Sequence, residues 1–122
     1  MIFQAIVQSR KGIAVLDLPQ IASDLCDNLQ RVGIENPPSD IRPGGNMFRV
    51  SLSASSDFGK HIIPLFTLRD SLADINEAAA QIEQAGEYVL SDIENNVIYD
   101  QYSDIRDLLY DINTDISPNM GM

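Results

Sequence analysis

The hydrophobic residues near the start of the chain follow the two-residue period of β-strands. Residues 2–8 mix Ile, Phe and Val with polar side chains, and a second apolar run occupies residues 13–16. Between them, residues 10–12 are Arg, Lys and Gly, a composition that suits a turn. This pattern predicts a β-hairpin or two neighbouring strands.

A third strand is predicted over residues 47–53, where Phe48, Val50 and Leu52 alternate with polar residues. Such alternation leaves one face of a sheet in contact with water. The preceding segment, residues 36–45, contains three prolines and two glycines and therefore cannot pair in the centre of a sheet. We expect that segment to be a loop.

Elsewhere the apolar residues recur at spacings of three and four, which predicts helices. The first helix is expected over residues 19–32, because Asp17 and Pro19 are start signals and Gly33 is a natural C-terminal stop. Residues 97–99 are either a short strand or an apolar connector. The other predicted helices are a short one that Ser55, Ser56 or Asp57 caps and that Pro64 kinks or ends, one from the N-cap Ser71 to about Ala85, one through residues 88–95, and one from the N-cap Ser103 to about Thr114.

These elements predict an α+β fold. We expect a small, mainly antiparallel sheet from the N-terminal half, packed with three to five helices that come mostly from the C-terminal half. A chain of 122 residues fits one domain, so residues 1–122 are expected to form a single unit with a loose tail at residues 118–122.

The last predicted helix carries two stripes. Its apolar residues Ile105, Leu108, Leu109, Ile112 and Ile116 are spaced to form one buried stripe. A second stripe lies roughly 100° round the helix and consists of aspartates. We call it the aspartate row: Asp104, Asp107, Asp111 and Asp115. The row is either a solvated face or a surface that binds a partner.

Charge is distributed unevenly between the two halves of the chain. Residues 1–69 contain six acids and seven bases, whereas residues 70–122 contain twelve acids and one base, Arg106. The net charge of −10 therefore comes from an acidic helical half that begins at about residue 70. This asymmetry argues against direct binding of nucleic acid or an anionic membrane and favours a basic partner. Solubility is the alternative explanation of the excess charge.

Residues suited to catalysis or metal binding are scarce. The single cysteine, Cys26, excludes an internal disulfide and a cysteine-built metal site and is expected to be an inert, buried or half-buried thiol. The single histidine, His61, adjoins two isoleucines and is expected to be structural. Residues 111–115 resemble the start of a calcium loop, but Ile116 occupies the position that requires Gly. We therefore expect no enzyme activity, metal or cofactor.

The sequence also contains no apolar run near the ~20 residues that span a bilayer, and the first five residues lack the features of a signal peptide. A cytoplasmic protein is expected. Its best candidate surface is the acidic half, where regularly spaced carboxylates could occupy the basic DNA-binding groove of a protein partner. The tyrosines there are either interface anchors or core residues with a hydrated hydroxyl. The candidate partner-binding residues are Asp104, Asp107, Asp111, Asp115, Asp100, Glu94, Tyr102 and Tyr110.

Residues 1–10, MIFQAIVQSR, leading into residues 13–19, IAVLDLP, are similar to the opening strand of some ArdA antirestriction proteins and its lead into a helix. The small size and polarised acidic surface also resemble that group, which consists of acidic DNA mimics carried by conjugative elements and phages. The resemblance implies inhibition of a restriction or other DNA-directed defence enzyme through its DNA site, without catalysis.

Two other functions remain open at this point. A small adaptor or assembly protein would bind a partner, or itself as a homodimer, through apolar and tyrosine surface in the second half, with the acids serving solubility. An enzyme would need a pocket that converges on His61 or on a pair of carboxylates.

Overall fold

The computed structural model describes residues 2–43, 47–85, 91, 93–95 and 102–116, with residues 114–116 described by their backbone. Within these residues the chain forms a three-stranded antiparallel sheet and five helices, which confirms the predicted α+β fold. The strands are β1 (Phe3–Gln8), β2 (Ile13–Leu18) and β3 (Arg49–Ser53), in the order β2-β1-β3. Both the predicted hairpin and the predicted third strand are therefore present.

The two faces of the sheet differ in polarity. Residues that pair across β1 and β2, such as Phe3 with Leu18 and Ala5 with Leu16, point to the same side and are almost completely buried. Alternate residues point to the opposite side, where β3 contributes polar side chains and the hairpin contributes exposed apolar ones. The core therefore lies on one face of the sheet. The exposed apolar residues of the other face are Ile6, Ile13 and Val15.

Helix α1 (Ala22–Arg31) begins later than the sequence pattern predicts. Asp17 belongs to β2, where it is exposed opposite Gln4 and accepts a hydrogen bond from the amide of that side chain. Asp17 was wrongly predicted to mark the start of this helix, because a polar residue shortly before a proline also fits the end of a strand. The predicted stop is confirmed, since Gly33 has a φ of 82° directly after the C-cap.

Two short polar motifs define the next helices. Ser56 caps α2 (Asp57–Ile62) by accepting a hydrogen bond from the N–H of Gly59, and a 3₁₀ turn at Ile63–Leu65 follows where proline was expected to end the helix. Ser71 caps α3 (Leu72–Gln84) in a capping box with Asp74. Two of the predicted caps are thus confirmed.

The remaining described helices are α4, with residues 91 and 93–95, and α5 (Ile105–Ile116). The predictions for residues 97–99 and 118–122 lie outside the described residues. The helices pack on the buried face of the sheet, with α1 and α3 both contacting β2. Two phenylalanines cross this layer: the rings of Phe3 and Phe66 meet edge to face with centroids 5.5 Å apart. Helix α5 packs against α3 and contributes Ile105, Leu108 and Ile112 to the core.

Candidate functional site

Helix α5 packs the described part of its predicted apolar stripe against the core, with Leu109 half-buried and the side chain of Ile116 outside the described residues. Ile105, Leu108 and Ile112 are at most 4% exposed. The helix also contacts α3 through a hydrogen bond of 3.1 Å from the Asn113 amide to the side-chain oxygen of Gln81. This packing leaves the aspartate row on a different side of α5 from the core.

Asp104 begins the row and acts as the N-cap of α5. Its Oδ1 accepts a hydrogen bond of 3.1 Å from the backbone N–H of Asp107. The prediction that Ser103 is the cap was wrong, because α5 begins at Ile105 and a capping oxygen must reach the third N–H of the helix. The half-buried Asp104 carboxylate thus has a structural role as well as a charge.

Asp107 is held at the same end of the helix by Ser103. Its Oδ2 accepts hydrogen bonds from the Ser103 hydroxyl and, at 3.1 Å, from the Ser103 backbone N–H. These two bonds, the hydroxyl first, lower the pKa of Asp107 below its ordinary value of 3.8 because they favour the charged carboxylate. Asp107 is therefore ionised at neutral pH and is held by donors from its own chain.

Asp111 is bound by a tyrosine that precedes the helix. The Tyr102 hydroxyl donates a hydrogen bond of 2.6 Å to Asp111 Oδ2, while the ring of Tyr102 packs against the hydrophobic core. Tyr102 therefore fits the expectation of a core tyrosine whose hydroxyl lies at the surface, and it also positions one member of the row. By contrast, the side chain of Tyr110 is 75% exposed.

The other predicted site residues are placed less completely. Glu94 is exposed in the described part of α4. Asp115 belongs to α5 but is described by its backbone, and Asp100 lies outside the described residues. The structure thus brings together Asp104, Asp107 and Asp111 with Tyr102.

The acids just before α3 and in its first two turns do not extend the aspartate row. Asp70, Asp74 and Glu77 line a cavity of about 160 Å³ that α5 closes with residues including Arg106. Arg106 lies about 100° round α5 from Asp107, so the cavity borders the opposite flank of the helix. The pairing of Asp70 with Arg106, at 3.5 Å, was not predicted, because the pattern within one helix does not predict contacts between helices.

The residues considered for other chemistry show no convergent site. His61 is exposed, with its Nδ1 2.8 Å from the Asp57 carbonyl oxygen, and Cys26 is a half-buried free thiol as expected. Among the described residues, no group of three or more His, Cys, Asp or Glu side chains is placed to hold a metal ion.

No protein-family model, curated protein or solved structure matches the chain. None of the helices in the described ranges has the length and apolar character needed to cross a membrane. Inference about function therefore depends on the local geometry and on the distribution of charge.

Proposed function

We propose that this protein is a non-enzymatic inhibitor that places its aspartate row in the DNA-binding groove of a restriction or other DNA-directed defence enzyme. The observation that supports this function is the fixed position of the described carboxylates. Asp104 is held by the N–H of Asp107, Asp107 by Ser103, and Asp111 by Tyr102. A DNA mimic benefits from such an arrangement because little conformational entropy is lost when the carboxylates meet a basic groove.

The charge distribution supports the same function. Asp104, Asp107 and Asp111 are separated by about 4.5 and 6 Å along the helix axis. Duplex DNA carries one charge per ~1.7 Å of axis, and proteins that bind it neutralise that charge with Lys and Arg. A row of carboxylates on a half-chain with twelve acids and one base would attract such a groove through the same long-range field. A host-defence inhibitor of this kind acts in the cytoplasm.

The decisive experiment removes charge from the row while keeping its hydrogen bonds. In a D104N/D107N/D111N variant, each amide oxygen can still accept the hydrogen bond made by the original carboxylate, and Asn caps a helix about as well as Asp. The matched control, D27N/E35Q/D40N, removes the same charge from exposed acids of the N-terminal half. Both variants should fold, as checked by circular dichroism.

The measurement is inhibition of DNA cleavage by a panel of restriction endonucleases at low and high salt. We expect the wild type and the control variant to inhibit at least one enzyme at low salt. The row variant should inhibit at least ~10-fold less well, because it lacks three charges at the contact surface. Equal inhibition by the two variants, or no inhibition of any enzyme by the wild type, would contradict the proposal.

A second candidate function is an assembly protein that associates with its own copies. The observation that favours it is the outer face of the sheet, where Ile6, Ile13 and Val15 are 36%, 54% and 59% exposed and Ile6 pairs with Val15. Association through this face should persist at high salt and be lost in I13T/V15T, which keeps β-branched side chains. Light scattering after size-exclusion chromatography measures the oligomeric state. A protein that is monomeric at ~100 µM would exclude the assembly function.

A further inference from the structure

A cavity of about 380 Å³ lies where the β1–β2 turn meets the end of α1 and the start of β3. Its volume falls within the range of small-molecule sites in proteins, roughly 300–1,000 Å³. It shares no lining residue with the aspartate row or with the cavity between α3 and α5. The residues that decide its chemistry are Arg10, Lys11, Ile34, Asn36, Met47 and Phe48.

The lining combines a positive charge with apolar surface. Arg10 and Lys11 bring two cations, and none of the lining residues that the structure describes is acidic. Met47 is 69% exposed and offers most of the apolar surface, while Ile34 and Phe48, which are 2% and 8% exposed, belong to the core and reach the cavity only at their edges. Two cations beside an apolar wall are the features that an anion with a hydrophobic body requires.

The polar side chains of this cavity are available to a ligand. Among the described residues, those of Arg10, Lys11 and Asn36 make no hydrogen bond or ion pair. Arg10 and Lys11 are exposed, so an ion pair with either cation alone would contribute little binding energy in water. Useful affinity therefore requires that the ligand also bury an apolar part against Met47 and the edges of Ile34 and Phe48.

The walls of the cavity are built from tightly constrained backbone. The Ser9 N–H donates to the Gly12 carbonyl at 2.9 Å, and the Lys11 N–H donates to the Ser9 hydroxyl at 3.1 Å. A Cβ on Gly12 would lie 2.7 Å from the Val32 carbonyl oxygen, so the turn packs directly against the end of α1. The turn and the helix end thus fix the backbone of Arg10 and Lys11 beside the cavity.

We propose that this cavity binds a small organic anion in which a carboxylate or phosphate group is attached to an apolar body. The Arg10 guanidinium offers two parallel N–H donors to the oxyanion, and the Lys11 ammonium adds charge. The apolar body lies against Met47 and the edges of Ile34 and Phe48, and the Asn36 amide contacts a polar atom of the ligand. This binding activity is independent of the aspartate row.

Methyl NMR of the full chain labelled with ¹³C-methyl methionine tests the proposal. Of the four methionines, Met47 lines the cavity, and an M47L variant identifies its signal. The probes are benzoate and phenyl phosphate, with benzyl alcohol as the neutral analogue and inorganic phosphate as the anion without an apolar body. Comparing benzoate with phenyl phosphate distinguishes carboxylate from phosphate recognition.

We expect benzoate or phenyl phosphate to shift the Met47 methyl signal saturably, with an affinity at least ~10-fold above that of benzyl alcohol and of inorganic phosphate. The R10Q/K11Q variant should bind benzoate or phenyl phosphate at least ~10-fold more weakly than the wild type does. The matched control K60Q/R69Q removes two exposed cations that do not line the cavity and should bind as wild type does.

Three results would overturn the proposal. They are the absence of a saturable Met47 shift with either aromatic anion up to ~10 mM, equal binding by R10Q/K11Q and K60Q/R69Q, and equal binding of the neutral analogue. Thermal unfolding of each variant confirms that the turn substitutions leave the fold intact. Because the assay contains no DNA-handling enzyme, its outcome does not depend on the inhibitor function.

Discussion

The carboxylate of Asp70 joins the amino end of α3 to α5 through Arg106, although the two side chains are in very different environments. Asp70 is 2% exposed and Arg106 is 66% exposed, with 3.5 Å between Oδ1 and Nη2. The second oxygen, Oδ2, accepts a hydrogen bond of 2.7 Å from the backbone N–H of Thr67. Because Arg106 is largely hydrated, the hydrogen bond to Thr67 should contribute more to stability than the ion pair.

This difference predicts unequal effects of substituting the two partners. R106Q should lower the free energy of unfolding by less than ~1 kcal/mol, as expected for an exposed ion pair. D70A should lower it by ~1–3 kcal/mol because it removes the buried carboxylate that accepts hydrogen bonds from both the N–H and the hydroxyl of Thr67. The loss of unfolding free energy in D70N, which keeps an acceptor oxygen, should lie between the losses in R106Q and D70A. Urea unfolding measures all three values, and an R106Q effect as large as that of D70A would refute the ranking.

The capping box of α3 makes a second prediction. S71A removes the acceptor for the Asp74 N–H and should lower the free energy of unfolding by about 1 kcal/mol. S23A, an identical change at an exposed position within α1, provides the control and should stay within ~0.5 kcal/mol of wild type. Urea unfolding of the two variants side by side measures the contribution of the cap. Similar values for both would mean that the box contributes no stability.

Ser103 makes the stability of α5 dependent on pH. S103A removes the hydroxyl that lowers the pKa of Asp107, so this pKa should rise toward 3.8, with part of the shift retained through the Ser103 backbone N–H. A carboxylate whose pKa is depressed on folding stabilises the folded state above the unfolded pKa and loses that contribution as pH falls through the folded value. The advantage of wild type over S103A should therefore be complete at neutral pH and disappear below 3.8.

Two measurements check this dependence. Carboxyl ¹³C NMR gives the titration of Asp107, and urea unfolding at pH ~7 and ~3 gives the stability difference. The S23A variant again serves as the control, because its titration of Asp107 should match that of wild type. A constant stability difference between wild type and S103A at both pH values would contradict the linkage.

Gly33 ends α1 in a Schellman motif. Its N–H donates to the Gln30 carbonyl at 2.9 Å, and the Ile34 N–H donates to the Leu29 carbonyl at 3.0 Å. The φ of 82° predicts that G33A costs ~1–2 kcal/mol of folding stability and that G33N costs less, because Asn adopts the left-handed region more readily. A Cβ in either variant meets the Lys11 side chain at 3.3 Å, so this contact cancels in the comparison. Thermal or urea unfolding measures both stabilities. A G33N variant that is less stable than G33A would exclude the left-handed backbone conformation as the cause.

The elements that the sequence predicted correctly are those encoded by neighbouring residues. Alternation specified the strands, and Ser71 and Gly33 marked helix ends because their side-chain or backbone chemistry acts within a few residues. The cap of α5 was also within reach of the sequence. In a capping box, the cap is followed three residues later by a side chain that can accept a hydrogen bond. Asp104 is followed by Asp107 at that spacing, whereas Ser103 is followed by Arg106, which cannot accept one.

The features that the sequence did not predict depend on residues far apart in the chain. The strand order β2-β1-β3, the ion pair of Asp70 with Arg106, and the cavity beside Arg10 all join separate segments. The hydrogen bond from Tyr102 to Asp111 was missed for a related reason, since Tyr102 precedes the helix and has no helical spacing to its partner. Patterns within one element specify its faces but not the neighbours that it meets.

The central position of β1 has a consequence for how the protein folds. The β1–β2 hairpin closes over a short turn, whereas β3 must return to β1 from the far end of a long intervening segment, with Arg49 opposite Gln8. The loop-closure entropy of that second pairing is larger, and contacts between distant residues form more slowly. We therefore expect the hairpin to form first and the docking of β3 to limit the folding rate. Because β3 then docks in the rate-limiting step, destabilising substitutions at Val50 or Leu52 should slow folding.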